Sequence, residues 1–363
     1  MNVIFTGGGT GGHMFPAIAI AESLRVINPD VNILFIGAKG KIEEKIVPTY
    51  NFKLATIKIY GLNKKQIFKT FILPIVFFNA VSDCKKIFYD FRPDLVLGTG
   101  AFVSAPVFYT AIKMKVPFII QEGNAYPGKV TKFFSPKANK VVINFEETKN
   151  YLKRPDNVIR IPHPIREYKE KINRDNIIRN LGINPDLKTI FIFGGSQGSA
   201  SINKAVLMSI EDLYNLNVNI IWQTGKNEYV KIKELTSKFS DYVKVFDFIY
   251  KMDEIYSVSD LVICRAGITS IMEISAYGKS SILIPFPFAA DNHQEKNAQM
   301  LEKEDSCIIL RDNELQEKLY KTIKNLIQDE NKMKQMAENV RKIADIDAAK
   351  KIALEIIKTL KNE

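Results

Sequence analysis

Short apolar runs, each closed by a glycine or a polar turn, recur along the chain. In the first half they predict strands at Asn2 to Thr6, Val31 to Ile36, Leu95 to Gly98, Phe118 to Gln121 and Val141 to Asn144. Met14 to Ile27 carries helical spacing instead. Strands alternating with helices predict right-handed crossovers and a parallel sheet. The stretch IPHPIREY, Ile161 to Tyr168, breaks that rhythm with two prolines and marks a domain boundary. A second cycle follows, with strands at Thr189 to Phe193, Asn219 to Gln223, Val243 to Phe246, Leu261 to Cys264 and Ser281 to Pro285, and a helix from about Ser201. Asn331 to Leu360 reads as a helical tail. The fold class is α/β, built as two Rossmann-like halves.

Two of these strands lead into glycine-rich turns, GGGTGG at Gly7 to Gly12 and GGSQGS at Gly194 to Ser199. Strand, tight turn and helix N-terminus is the layout that binds a nucleotide phosphate. One such turn is weak support. Two, half a chain apart, predict similar domains facing across a cleft where a sugar nucleotide and its acceptor can meet. The first turn also contains G-x-G-x-x-G, but a dinucleotide site needs an acidic residue after the second strand. Here that strand ends FIGAKG, without a carboxylate, which disfavours NAD. What remains is a loop whose backbone N–H groups and helix dipole can hold negative charge.

Length and composition, 363 residues with 46% hydrophobic and 25% charged, fit a two-domain globular protein. The charge is uneven. Met1 to Ile165 holds 22 basic and 11 acidic residues, and the remainder holds 29 of each, so the whole formal charge of +11 sits on the first half. Scattered solvated lysines would account for this, as would an anionic surface or ligand. The longest apolar run, Phe71 to Phe78, is far short of a membrane span and holds a proline. The sequence predicts no secretory signal, and its cysteines, Cys84, Cys264 and Cys307, read as reduced cytosolic thiols.

His13 directly follows the first turn. The helix N-terminus there should favour neutral imidazole, which suits a general base; the plainer reading is capping or packing. In the second turn Ser196 and Gln197 can add side-chain hydrogen bonds, or the turn is only a tight connection. CRAGITSIMEI places Gly267, Thr269 and Ser270 at a helix start and Glu273 about one turn inside, where a carboxylate could accept both ribose hydroxyls or merely complement the dipole. In PFPFAADNHQEKNA, Asp291 or Asn292 should cap a helix whose first turn offers His293 and Gln294 to sugar hydroxyls.

Taken together, GGTGGHMFPAIAIA, QEGN, PIR, GGSQGSASIN, the RAG turn with Glu273, and DNHQEKNA resemble the MurG family of glycosyltransferases over nearly the full length. The resemblance implies a GT-B fold. Domain 1–163 would face acceptor and membrane, domain 164–344 would bind UDP-GlcNAc, and a terminal helix at about 345–363 would cross back. It implies inverting transfer of GlcNAc to the muramoyl 4-hydroxyl of lipid I, giving lipid II, with no cofactor. It implies no metal either, and the one Asp-x-Asp, Asp345 to Asp347, sits in the helical tail, where its carboxylates would not share a face. By matching motif, Thr10, Gly11 and Gly12 would line the cleft, with His13 near the acceptor. Asn124 would bind substrate and Arg166 would suit diphosphate charge. Ser196 would contact donor phosphate and Ile249 would offer its backbone to uracil. Ile268, Thr269, Ser270, Ile271, Met272 and Glu273 would cradle phosphate and ribose, with Glu273 on the ribose hydroxyls, and His293 and Gln294 would contact GlcNAc.

The chain departs from the family pattern on the acceptor side. The family usually reads His-Glu-Gln-Asn where this chain has Gln121, Glu122, Gly123 and Asn124. It usually has Gly-Asn where Pro162 and His163 stand, and GGYVS where Gly100, Ala101, Phe102, Val103 and Ser104 stand. Gly61 to Phe91 mixes Lys64, Lys65, Lys69, Lys85 and Lys86 with Phe68, Phe71, Phe77, Phe78 and Phe88, a composition suited to an anionic bilayer or to a buried helix with a solvated edge. The expected location is the cytoplasmic face of the inner membrane. Rival readings are an epimerase-like sugar-nucleotide enzyme and a non-catalytic, membrane-docked UDP-sugar binder. No aromatic–basic motif supports nucleic acid, despite a pI near 9.2.

Overall fold

A computed structural model describes residues 1–9, 11–60, 73–165, 168, 172–195 and 197–361. The chain forms two compact units, Met1–Arg166 with Asp345–Glu363, and Glu167–Ala344.

Among the described residues, the first unit holds a seven-stranded parallel sheet: β1 (Asn2–Thr6), β2 (Asn32–Ala38), β3 (Lys53–Ile57), β4 (Leu95–Gly98), β5 (Phe118–Glu122), β6 (Lys140–Ile143) and β7 (Val158–Arg160). The order is β3-β2-β1-β4-β5-β6-β7. Winding reverses between β1 and β4, and in such sheets ligands gather beyond the carboxyl ends of the strands at that reversal. Alternate residues of β1 feed two cores. Val3 and Phe5 pack with Met14, Ala17, Ile18 and Ala21 of the helix Gly11–Ile27, and with Ile352, Ala353 and Ile356 of the terminal helix Ala348–Lys361. Ile4 packs on the opposite face with Val96, Phe108 and Phe118.

The second unit repeats the plan with β8 (Thr189–Phe193), β9 (Asn219–Gln223), β10 (Val243–Phe246), β11 (Leu261–Cys264), β12 (Ser280–Leu283) and β13 (Ile308–Ile309). Their order is β10-β9-β8-β11-β12-β13, so the reversal lies between β8 and β11. Trp222, wholly buried, anchors a core with Ile190, Ile192, Ile202 and Val206, closed by Leu319 and Ile323 of the helix Leu315–Gln328. Its indole N–H donates to Asn203 Oδ1 at 3.0 Å, which satisfies the polar group that burial would otherwise strand.

Several bounds differ from the sequence reading. β3, β7 and β13 were not expected. β6 starts and ends one residue early, and β12 runs from Ser280 only to Leu283. The tail is two helices, Glu330–Arg341 and Ala348–Lys361. Asp345 and Asp347 therefore lie in the turn between them and not on a helix. The Asp345 carboxylate accepts from the Asp347 amide at 3.0 Å and pairs with Lys351, and this local pairing breaks the helix. Among the described residues no cluster of three His, Cys, Asp or Glu could hold a metal, and no helix is long and apolar enough to cross a membrane. The three cysteines are free and buried. Burial pushes the Cys84 thiol up to about 12.

Candidate functional site

In the first unit the loop after β1 and the loop after β4 meet at the reversal. His13 is the third residue of the helix Gly11–Ile27, and its Nδ1 lies 2.7 Å from the Thr99 carbonyl oxygen. A carbonyl only accepts, so Nδ1 carries the proton and the ring's lone pair sits on Nε2. Thr99 returns the contact, its hydroxyl donating to the His13 carbonyl at 2.8 Å. Gly7 makes room for this lock: a Cβ there would lie 2.1 Å from Thr99 Oγ1. The histidine expected to act as a base is thus fixed in the tautomer a base requires.

One amide of the first glycine turn is already engaged by the chain itself. Gly9 N donates to Glu43 Oε1 at 3.0 Å, and Ala38 N donates to the same oxygen at 3.2 Å. The carboxylate missing from the end of β2 arrives from the short helix Glu43–Ile46, and its side chain is wholly buried. Gly9 has φ 76, in the left-handed region, and a Cβ on it would press on the Phe102 ring at 2.8 Å. Thr10 and Arg166 lie outside the described residues.

Three of the departures from the family pattern, Gln121, Gly123 and His163, pack on one another. Gln121 Nε2 lies 3.1 Å from His163 Nδ1, and the His163 amide donates to Asn144 Oδ1 at 2.8 Å. A Cβ on Gly123 would lie 2.3 Å from His163 Nδ1, so the imidazole at 163 needs the glycine at 123. Burial, and next the nearby His13, lower His163 to about 3, which keeps it neutral. Asn124 is held by Glu122, whose carboxylate accepts from the Asn124 amide and side chain, the Gly128 amide and the Thr131 hydroxyl.

In the second unit the turn after β8 sits beside the turn after β11. Gly198 (φ 77) packs against the Thr224 carbonyl, whereas a Cβ on Gly195 or Gly267 would meet nothing within 4 Å. Ser199 is the N-cap residue of the helix Ala200–Met208, yet its side chain does not cap it. Its hydroxyl accepts from Arg265 Nη2 at 2.7 Å. The buried Arg265 guanidinium also donates to Ser201 Oγ at 2.8 Å, to the carbonyls of Ile284 and Pro285, and to Asp312. One side chain thereby ties both turns and the end of β12 together. Helix amides without a side-chain cap, beside a fixed cation, suit an incoming phosphate. Ser196 lies outside the described residues.

Glu273 lies on the helix Ile268–Tyr277 with 5% of its surface exposed. Tyr256 OH donates to Glu273 Oε2 at 3.2 Å, which orients the carboxylate. Gly267, not Thr269 or Ser270, occupies the N-cap position. Ile271 and Met272 are core side chains, wholly buried, and Ile268 is buried too, so these three can serve a ligand only through their backbone. The Ile249 amide is engaged by Gln223 Oε1 at 2.7 Å, while Gln223 Nε2 donates to the Gly195 carbonyl at 3.0 Å. Through Gln223 the Ile249 amide thus helps brace the glycine turn. Asn292 is the N-cap of the helix His293–Glu302 but makes no side-chain cap, because Asp291 and Asn292 both adopt left-handed φ. His293 Nδ1 donates to the Ala290 carbonyl at 2.8 Å, and Gln294 Oε1 accepts from the Phe286 amide at 2.9 Å. Both side chains are oriented with one polar atom each committed.

Sequence reasoning missed Glu43, Thr99, Tyr256, Gln223 and Arg265. The signal for Arg265 was a lone cation directly after a buried strand. For Glu43 it was the density of glycines in the loop it supports.

Residues 3–143 match the glycosyltransferase family 28 N-terminal domain and residues 189–353 match the family 28 C-terminal domain. An Acetivibrio thermocellus protein named UDP-N-acetylglucosamine–N-acetylmuramyl-(pentapeptide) pyrophosphoryl-undecaprenol N-acetylglucosamine transferase is 37% identical, covering 99% of this chain and 98% of its own. The chain belongs to the MurG family. A Bacillus subtilis MurG-family protein of the same name is 36% identical over 97% of this chain and 98% of its own. The crystal structure of Acinetobacter baumannii MurG superposes with a TM-score of 0.77 at 24% identity, over 98% of this chain and 99% of that one, and shares the fold.

The basic and aromatic stretch Gly61 to Phe91 is only partly described. Lys64, Lys65, Phe68, Lys69 and Phe71 lie outside the described residues. On the helix Leu73–Phe91, Ile75, Phe78 and Tyr89 are exposed beside Lys85 and Lys86. Phe77 is half-buried against Tyr109, and Phe88 belongs to the core, not to the surface.

Proposed function

We propose that the protein transfers GlcNAc from UDP-GlcNAc, with inversion, to the muramoyl 4-hydroxyl of undecaprenyl-pyrophosphoryl-MurNAc-pentapeptide. The observation that carries the reading is the His13–Thr99 lock within a chain that matches MurG-named relatives end to end. An unassisted sugar hydroxyl is a poor nucleophile at neutral pH, and a positioned base contributes about 10²–10⁴-fold. His13 Nε2 takes the hydroxyl proton as the oxygen attacks the anomeric carbon, and UDP leaves. Charge then develops on the β-phosphate. The helix amides at Ala200 and Ile268, in loops that Arg265 fixes, stabilise it. Glu273, aimed by Tyr256, receives the ribose hydroxyls, and His293 and Gln294 contact the GlcNAc ring. Thr10, Asn124, Arg166 and Ser196 complete the substrate contacts.

The exposed Ile75, Phe78 and Tyr89 with Lys85 and Lys86 suit the interface of an anionic bilayer, which is where a polyprenyl-linked acceptor resides. The protein then works peripherally, on the cytoplasmic face of the inner membrane. A UDP-release assay with and without a lipid-linked muramoyl acceptor tests the reading. Acceptor-dependent release with label passing from UDP-GlcNAc into lipid is expected. Epimerisation of UDP-GlcNAc without acceptor, or no turnover, would refute it.

A further inference from the structure

One amide of the first glycine turn already has an acceptor, and that acceptor belongs to the chain. The Glu43 side chain is wholly buried, and its Oε1 draws together the Gly9 amide at 3.0 Å and the Ala38 amide at 3.2 Å. The glycines are what admit it. A Cβ on Gly8 would lie 1.9 Å from Glu43 Oε1, and one on Gly37 would lie 2.9 Å from Glu43 Cβ. The other oxygen, Oε2, is buried without a hydrogen-bond partner among the described residues. A carboxylate buried with half of its acceptors idle is costly, and closing the turn would need only a neutral acceptor.

A strand–turn–helix junction offers its amides to one negative group. Here Glu43 takes one amide of the turn, that of Gly9, together with the Ala38 amide of β2, and a phosphate at Gly9 would meet a like charge in a poorly screened site. The second turn differs on each count. Among its described residues no carboxylate accepts from the amides of Gly194, Gly195, Gln197, Gly198 or Ser199, and the buried charge beside it is the Arg265 guanidinium.

We infer that Glu43 is a positioning residue. It takes the Gly9 amide, ties it to the Ala38 amide at the end of β2, and so fixes the first glycine turn ahead of His13, while the nucleotide diphosphate goes to the second turn. The assignment of substrates rests on the reading under Proposed function; the Glu43 contacts do not.

The experiment compares the full chain with E43A and E43Q, using formate as a probe that replaces the lost carboxylate. E43A should unfold at a lower temperature and recover with added formate, to which the wild type is indifferent. E43Q retains an acceptor oxygen and sheds the buried charge, so it should unfold no lower than the wild type. In turnover, E43A should lose about 10- to 100-fold in kcat, with KM for UDP-GlcNAc within about twofold, and formate should restore kcat. E43Q should keep kcat within about threefold of the wild type. Loss in E43A that formate does not reverse, a rise of about tenfold in its donor KM, or an E43Q as impaired as E43A would each overturn the inference. Should E43A fail to fold, E43Q decides: wild-type stability and turnover support the inference, and loss of either refutes it. The thermal arm needs no substrate, so a wild type without UDP-GlcNAc turnover would sink the proposed function and leave this test readable.

Discussion

Replacing Arg265 with methionine keeps the aliphatic stem and removes the fork that joins the two donor-side turns. The guanidinium makes a two-pronged pair with Asp312 and donates to two serine hydroxyls and two carbonyls. Its side chain is 10% exposed and that of Asp312 is 24% exposed. Removing one partner of a buried pair costs about 3–5 kcal/mol, because the other charge is stranded. Asp312 can still reach water, and Ser199 and Ser201 can bond each other across their 3.2 Å separation, so the lower end, about 3 kcal/mol, applies. Trp222 is the sole tryptophan and lies wholly inside the second unit. Its fluorescence in urea therefore reports the unfolding of that unit. R265M should lower the unfolding free energy by about 3 kcal/mol and raise KM for UDP-GlcNAc. R265K, with a point charge in place of a planar fork, should recover less than half of the stability. A Trp222 transition within about 0.5 kcal/mol of the wild type in R265M, the range of ordinary surface substitutions, would refute the clamp.

Three further outcomes are expected. Y256F removes the hydroxyl that aims Glu273, a bond worth about 1 kcal/mol, so KM for UDP-GlcNAc should rise about fivefold with kcat little changed; an unchanged KM would remove Tyr256 from the donor site. H13A should lower kcat by about 10²–10⁴-fold at saturating substrates; a loss of only a few-fold would eliminate His13 as the base. Unfolded His163 takes up a proton near 6.5, whereas the folded residue refuses it until about 3. Stability from this residue is thus intact above 6.5 and is lost as pH falls toward 3, by about 2 kcal/mol between pH 7 and pH 5. Urea unfolding at the two pH values should show that loss in the wild type and not in H163N, and an equal loss in both would overturn the assignment.

The central strands were legible because burial on both faces leaves an unbroken apolar run, as in TIFIF of β8 and LVIC of β11. The missed strands are marginal ones. β3 is a half-exposed edge strand with lysine and threonine in it, and β7 and β13 are three and two residues long. Among the candidate site residues, those carried by a local motif were legible: His13 after its turn, Glu273 inside its helix. Those that act by reaching across the fold were not. Glu43 meets Gly9 across 34 positions, His13 meets Thr99 across 86, and Arg265 meets Ser199 across 66. Nothing local in a sequence marks such pairs, because register between distant strands creates them. For Ile271 and Met272 the motif match did not show that helical phase turns their side chains into the core, which leaves their backbone to serve a ligand.

The helix Ala348–Lys361 completes the hydrophobic layer over Met14, Ala17 and Ile18. Ribosomes deliver β1 (Asn2–Thr6) first and this helix, which starts at Ala348, about 340 residues later. During translation the amino-terminal sheet must therefore wait with one greasy side uncovered while the other half of the molecule, contiguous in sequence, can finish maturing. Nascent chains halted before residue 348 should present that uncovered side to chaperones, and clipping the final helix should wound the amino-terminal lobe rather than the one it follows in the gene.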